Sequence, residues 1–205
     1  MQAFTTLTAV AIPVDMVNVD TDQIVPARFL KKARTDPNYK TFLFHDLRLD
    51  GQGKERPGFV MNKAPYRNGR IIVADENWGC GSSREAAVWT LVANDIHCVI
   101  APSFGDIHYN NAMKNGMLPV RLSKADCAAL RKQLNDEPGA EISVDLAAQT
   151  VTGPDGKQYS FEIEPFPKYR MLKGLDDIDV TLEYGKDFEE FEKRYKKEAS
   201  WLFAE

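Results

Sequence analysis

Apolar positions recur along this chain with two distinct rhythms. Phe4 to Ile12 partly alternate apolar and polar residues, which predicts an early strand. Arg70 to Ala74, His97 to Ala101 and Leu118 to Leu122 are short, nearly unbroken apolar runs and predict buried strands. Helical spacing lies between and after them, over Ser83 to Asn94, Phe104 to Asn115 and Ser123 to about Asn135. The centre of the chain is thus a β-α-β-α-β unit of α/β class. Right-handed crossovers make its three strands parallel, so the loops Asp75 to Ser83 and Pro102 to Ser103 open on one crevice at the carboxyl edge. Ser103 with Asp106 resembles a capping pair, Gly116 suits a left-handed position after the second helix, and Ser123 suits the cap of the third.

Outside that unit the pattern changes. Asn18 to Pro26 carries Asx-turn and capping residues. Lys31 to Asn68 is irregular, interrupted by Pro37, Gly51, Gly53, Pro57 and Pro65, and reads as a flexible loop or flap. After Pro138, short strands over Glu141 to Leu146, Gln149 to Thr152 and Lys157 to Ile163, with a Gly153-Pro154-Asp155-Gly156 turn, predict a small antiparallel meander. The tail from Gly185 to Glu205 has helical spacing, with Phe188, Phe191, Tyr195 and Leu202 on one face. Packing of that face on the parent domain is expected, with a partner-binding helix as the alternative. All of this fits a single domain over 1–205.

The 205 residues, 43% hydrophobic and 27% charged, suffice for one sizeable core. A net charge of −4 offers no field to gather a polyanion, so nucleic acid and anionic membranes are not expected partners, and any anion site must be local. The first residues lack a secretory pattern and no run approaches the roughly 18 apolar residues of a membrane span, which predicts a cytoplasmic protein. Cys80, Cys98 and Cys127 fit neither a disulfide framework nor a metal knuckle, and read as reduced thiols.

The strongest chemistry lies in Gly79-Cys80-Gly81-Ser82-Ser83-Arg84-Glu85, which leaves a strand and enters a helix. Glycines remove side-chain bulk, and the first helical amides lack internal partners, so such a turn binds anions. Two hydroxyls and the Arg84 guanidinium add donors, with charge-assisted contacts worth about 1.5 to 3 kcal/mol each. The bland alternative makes Ser83 an N-cap and Arg84 a surface ion pair with Glu85 or Asp75. A dinucleotide fingerprint is disfavoured because Arg84 stands where glycine is needed and no acid follows the second strand. A nucleophile elbow and a phosphate-binding GK[ST] loop are absent. His45, His97 and His108 are too scattered to suggest a metal site, and Cys80 is a candidate for either function or packing. Asp20 and Asp22 share a face if their segment is extended, and either could orient Arg84 or a serine; capping is the competing role. Arg28 or Arg34 could add a cation.

Three ordered segments, VDTDQIVPARFL (Val19 to Leu30), NWGCGSSREAA (Asn77 to Ala87) and APSFGDIHYNNAMKNGMLPV (Ala101 to Val120), together with GLDDIDVTL (Gly174 to Leu182), resemble the small subunits of bacterial 3-isopropylmalate dehydratase. The same motifs recur in the carboxyl-terminal swivel domain of aconitases. The resemblance implies a swivelling β/β/α domain that docks, as a heterodimer or heterotetramer, on a large subunit carrying a [4Fe-4S] cluster, with no cofactor bound by this chain alone. It implies isomerisation of 2- and 3-isopropylmalate through 2-isopropylmaleate in leucine biosynthesis. Carried over residue by residue, Ser82 is the general base, Ser83 and Arg84 grip a substrate carboxylate, Asp22 orients these groups, and Arg34 is a further substrate contact. Ala86 stands where many relatives have histidine. Related hydro-lyases of methylmalate, citraconate or homoaconitate, and a non-catalytic anion-binding module, remain alternatives.

Overall fold

The computed structural model describes residues 1–203. Seven strands form one sheet: β1 (Thr6–Val14), β2 (Ile71–Ala74), β3 (Cys98–Ala101), β4 (Leu118–Arg121), β5 (Glu141–Asp145), β6 (Thr150–Thr152) and β7 (Gln158–Ser160), in the order β4-β3-β2-β1-β5-β6-β7. The strands β4, β3, β2 and β1 pair in parallel, whereas β1-β5-β6-β7 pair antiparallel.

β1 belongs to both halves, and its sequence shows why. Thr6 to Val10 pair with β5, and there exposed and buried residues alternate, as on a sheet with one solvated face. Ala11 to Val14 pair with β2, and all four are buried. β2 and β3 are buried throughout because helices cover both faces of the parallel half. The partial alternation over Phe4 to Ile12 is the signature of this change of environment.

Eight helices accompany the sheet among the described residues: α1 (Thr21–Ile24), α2 (His45–Arg48), α3 (Glu85–Ala93), α4 (Asp106–Lys114), α5 (Lys124–Asp136), α6 (Pro165–Lys173), α7 (Asp177–Leu182) and α8 (Gly185–Glu198). The central unit, the meander and the C-terminal helix are those expected. Ser123 caps α5 by accepting from the Asp126 amide, and Gly116 is left-handed at φ +75°. The Ser103 cap is not formed. Gly105 is the N-cap of α4, and the Ser103 hydroxyl instead accepts from the Asn77 amide at 2.8 Å, joining the two crevice loops. Helices α6 and α7 escaped the periodicity reading because α6 buries only Met171 and α7 is short, although Pro165 at the start of α6, Gly174 at its end and the Asp176 capping box of α7 mark their boundaries.

The segment 31–68 runs through short 3-10 turns and α2. Phe42, Leu43 and Phe44 are buried within it; the Phe42 ring stacks on Phe29 at 4.3 Å, and Phe44 meets Trp78 edge-on at 6.0 Å. At the carboxyl edge of the parallel strands, buried Arg131 of α5 binds Asp75 at 2.6 Å, Asp15 at 2.8 Å and the Ala74 carbonyl at 2.7 Å. This cation ties the ends of β1 and β2 together.

The tail departs from expectation. Phe188, Phe191, Tyr195 and Leu202 remain 38–59% exposed, and the principal contact of α8 is the 3-10 turn that follows it, Ser200–Leu202. The apolar face of α8 is therefore not covered by the sheet or its helices among the described residues. Residues 204 and 205 of the expected tail lie outside the described residues.

Candidate active site

The site turn begins where β2 ends. Gly79 and Gly81 are left-handed, with φ of +70° and +83°, and each is also pressed by a neighbour. A β-carbon at Gly79 would overlap the imidazole of His108, and one at Gly81 would come within 3.2 Å of the Asp20 β-carbon. The glycines therefore allow the backbone to fold back and let two other segments approach it.

Those segments are stitched on by main-chain bonds. Gly79 donates to the Val19 carbonyl at 2.7 Å, Thr21 donates from its amide to the Cys80 carbonyl at 3.0 Å, and the Thr21 hydroxyl donates to the Ser82 carbonyl. On the other side, Trp78 donates to the Ser103 carbonyl and Gly105 donates to the Trp78 carbonyl, at 3.0 and 2.8 Å. The crevice anticipated between the two strand-to-helix loops is thus a pair of hydrogen-bonded loops with the 18–24 segment alongside.

Asp20 and Asp22 divide the work. Asp20 is the N-cap of α1: its carboxylate accepts from the Gln23 amide at 2.7 Å while its own amide donates to the Gln23 side chain at 3.0 Å. Of the two readings, capping holds for Asp20, and the extended alternative with both acids on one face does not form because the capping box starts a helix between them. Asp22 falls in the first turn of α1 and forms an ion pair with Arg84. The Arg84 side chain is 18% exposed, against 49% for Asp22, so the cation is held where water is scarcer. Asp75 and Glu85, the partners of the bland reading, are engaged elsewhere, by Arg131 and by the Asn115 amide group at 2.8 Å.

Ser82 and Ser83 are exposed, and neither hydroxyl has a hydrogen-bond partner among the described residues. Ser83 is not an N-cap: Arg84 occupies that position and no side chain caps α3. α4 also lacks a side-chain cap. The N-termini of α3 and α4, neither with a side-chain cap, thus border one cleft with the free Ser83 hydroxyl, and Ser82 and Arg84 stand on the same turn, an arrangement suited to a carboxylate or phosphate. Gly79, Cys80, Gly81, Ser83, Asp106 and His108 border a cleft of about 290 Å³ here. A larger cleft of about 730 Å³ beside Arg121 contains Asp126, Glu162 and Glu164, three carboxylates opposing an anionic ligand where the smaller cleft has Asp106.

Other candidates are drawn elsewhere. Arg34 lies over the Trp89 ring of α3, 5.0 Å from its centroid, and no hydrogen bond or ion pair joins it to Ser82, Ser83, Arg84 or Asp22 among the described residues. Arg28 pairs with Asp46, whose carboxyl it holds down at about 2. Burial raises the Cys80 thiol, and the nearby Asp20 charge adds to the effect, which keeps sulfur protonated.

Two residues escaped the sequence reading. Thr21, 1% exposed, bonds the Ser82 carbonyl through its hydroxyl; its place between the two aspartates was the available signal. His108, 2% exposed, packs under Gly79 with neither ring nitrogen partnered, and desolvation pushes it down to about 4. Its place one turn into the helix that follows Gly105 was the corresponding signal.

Residues 1–125 match the family model described as the aconitase C-terminal domain, and 128–165 match one described as LeuD_N. Proteins named 3-isopropylmalate dehydratase small subunit from Paramagnetospirillum magneticum and Azorhizobium caulinodans are each 48% identical over 202 residues, covering 98% of this chain and all of theirs. The relative from Nitrobacter hamburgensis is 45% identical over 201 residues, with the same coverage. A crystal structure of 3-isopropylmalate dehydratase (leuD) from Methanocaldococcus jannaschii shares the fold, with a TM-score of 0.62 and 24% identity over 92% of this chain and 98% of that one.

Proposed function

The chain belongs to the family of 3-isopropylmalate dehydratase small subunits, within the aconitase C-terminal domain group, and from that premise we propose that its Gly79–Glu85 turn supplies the serine and arginine half of a hydro-lyase active site. The reaction interconverts 2- and 3-isopropylmalate through 2-isopropylmaleate in leucine biosynthesis, and a large subunit completes the enzyme. In this reading Ser82 is the base. Its alkoxide takes the proton from the carbon that enters the alkene, the C–H electron pair becomes the C=C bond, and the neighbouring hydroxyl departs as water once protonated. Returning the proton and water with the opposite regiochemistry gives the isomer.

A serine hydroxyl is ordinarily far too weak an acid for this. The observation that carries the proposal is the position of the exposed, unbonded Ser82 and Ser83 hydroxyls at an uncapped helix N-terminus beside Arg84. Preorganised amides, the helix dipole and the guanidinium would stabilise an oxyanion once a partner excludes water. Ser83 and Arg84 grip a substrate carboxylate, and Asp22 fixes the guanidinium plane. Arg34 could join them only by leaving Trp89.

A [4Fe-4S] cluster, in this proposal, resides in the large subunit and supplies Lewis acidity toward the leaving hydroxyl. The residues of this chain do not fit it: Cys98 and Cys127 are buried, and no group of three or more His, Cys, Asp or Glu suited to a metal occurs among the described residues. No helix of the described residues is long and apolar enough to cross a membrane.

The test is anaerobic reconstitution with and without the large subunit, assayed on 3-isopropylmalate and on citraconate. Turnover of isopropylmalate is expected only from the pair, and Ser82→Ala should abolish it while leaving assembly intact. Turnover by this chain alone, or full activity in Ser82→Ala, overturns the assignment.

A further inference from the structure

The apolar face of the tail, unpartnered by the parent domain, has the size and position of an interface. Of the fourteen large hydrophobic residues exposed among the described residues, nine lie between Ile178 and Phe203. They are clustered rather than scattered. Tyr184, Phe188, Phe191 and Tyr195 recur at helical spacing along α8; the Phe191 and Tyr195 rings stack at 5.5 Å, and Phe203 meets Tyr195 edge-on at 5.8 Å. With Trp201, these are six aromatic side chains of roughly 150–250 Å² each, about half exposed. They present on the order of 600 Å² of surface, most of the roughly 800 Å² per partner in a stable interface.

Two observations select the occupant. Helix α8 carries five acidic and five basic residues, several paired with each other along its outer face, such as Lys196 with Glu192 at 3.9 Å, so it lacks the cationic face an anionic lipid surface needs. The helix that leads into the tail also lies beside the active-site turn. Asp177 and Ile178 of α7 share a cavity of about 380 Å³ with Glu85, the residue after Arg84, and Asp177 is tied to α4 by Lys114 at 3.5 Å and to α6 by Arg170 at 2.7 Å. A body that covers the site turn therefore lies against α7, from which the chain passes directly into the tail. A second copy of this chain has no such reason to be there.

We propose that the aromatic face of α8 and the turn after it is the strip by which this chain docks on the large subunit, a proposal that rests on the small-subunit reading above. The aromatics supply the desolvated centre of that contact, and the balanced charges its rim.

The experiment measures the dissociation constant of the full chain for the purified large subunit, anaerobically, for wild type, Phe188→Glu/Phe191→Glu and the milder Phe191→Ser. Circular dichroism and thermal midpoint verify the fold of each. The double variant is expected to weaken assembly by roughly 30-fold or more, with Phe191→Ser intermediate, and turnover should recover as the large subunit is raised. Unchanged affinity in both variants overturns the proposal, as does a concentration-dependent homodimer, or binding to phosphatidylglycerol vesicles, that the double variant abolishes while large-subunit affinity stays put. If the wild-type pair assembles through this strip but does not turn over isopropylmalate, the proposed function fails and the docking assignment stands.

Discussion

A β-carbon on Gly79 would overlap the imidazole of His108, so that a side chain at 79 and a ring at 108 cannot occupy the same fold undisturbed. Left-handed backbone at Gly79 adds to this demand. Gly79→Ala should therefore lower unfolding free energy by about 2 to 4 kcal/mol, from the left-handed cost and overpacking together. Gly58→Ala, where nothing lies within 4 Å, should stay within about 0.5 kcal/mol of wild type. Chemical denaturation of the three proteins checks the contrast.

His108 should also give the protein a pH-dependent stability. Its folded form resists protonation until about 4, while the unfolded chain takes the proton near 6.5. The contribution is thus complete above 6.5, is lost as pH falls toward 4, and levels off once the folded ring protonates. Across that window the stability difference between wild type and His108→Phe should change by roughly 3 kcal/mol. Parallel stability-versus-pH curves for the two proteins would contradict this.

Arg84→Lys should reduce kcat/KM of the reconstituted enzyme by roughly 100-fold or more, because an ammonium cannot offer the bidentate carboxylate grip proposed for the guanidinium that Asp22 pairs with. Asp22→Asn should have a smaller effect in the same direction. Unchanged kinetics in Arg84→Lys would return this residue to a surface ion pair.

Arg131 is expected to be the costliest charge to remove. Arg131→Ala leaves the Asp75 carboxylate, 16% exposed, without its cation at the end of β2, and should cost roughly 3 to 5 kcal/mol. Arg131→Met with Asp75→Asn should recover part of that loss. A single-variant loss below 1 kcal/mol would show that water compensates the pair.

The parallel unit and the meander were legible because burial on two faces and burial on one leave different local patterns, unbroken in β2 and alternating in β5. The Gly79 to Glu85 turn was legible because Gly79 and Gly81 mark a backbone that other residue types avoid. Ser103 was misread as a cap since a serine three residues before an acid looks the same whether its hydroxyl turns to its own helix or, as here, to the Asn77 amide in a neighbouring loop. α7, at six residues, lacked the length for periodicity to register, and α6 carries Pro165 and Pro167 and only one buried side chain, Met171, so no apolar stripe marks it.

The sequence by itself determined the alternation of strands and helices, the left-handed turn and the identity of the donors it carries, since these depend on residues a few positions apart. Only the tertiary structure decided that Asp22 rather than Asp20 holds Arg84, that His108 lies under Gly79, that Arg34 is drawn to Trp89, and that the aromatic face of α8 finds no surface on its own domain. The reason is that pairing across the sheet edge depends on which loops the fold brings together and on how deeply each charge is buried, and neither quantity is encoded in local spacing.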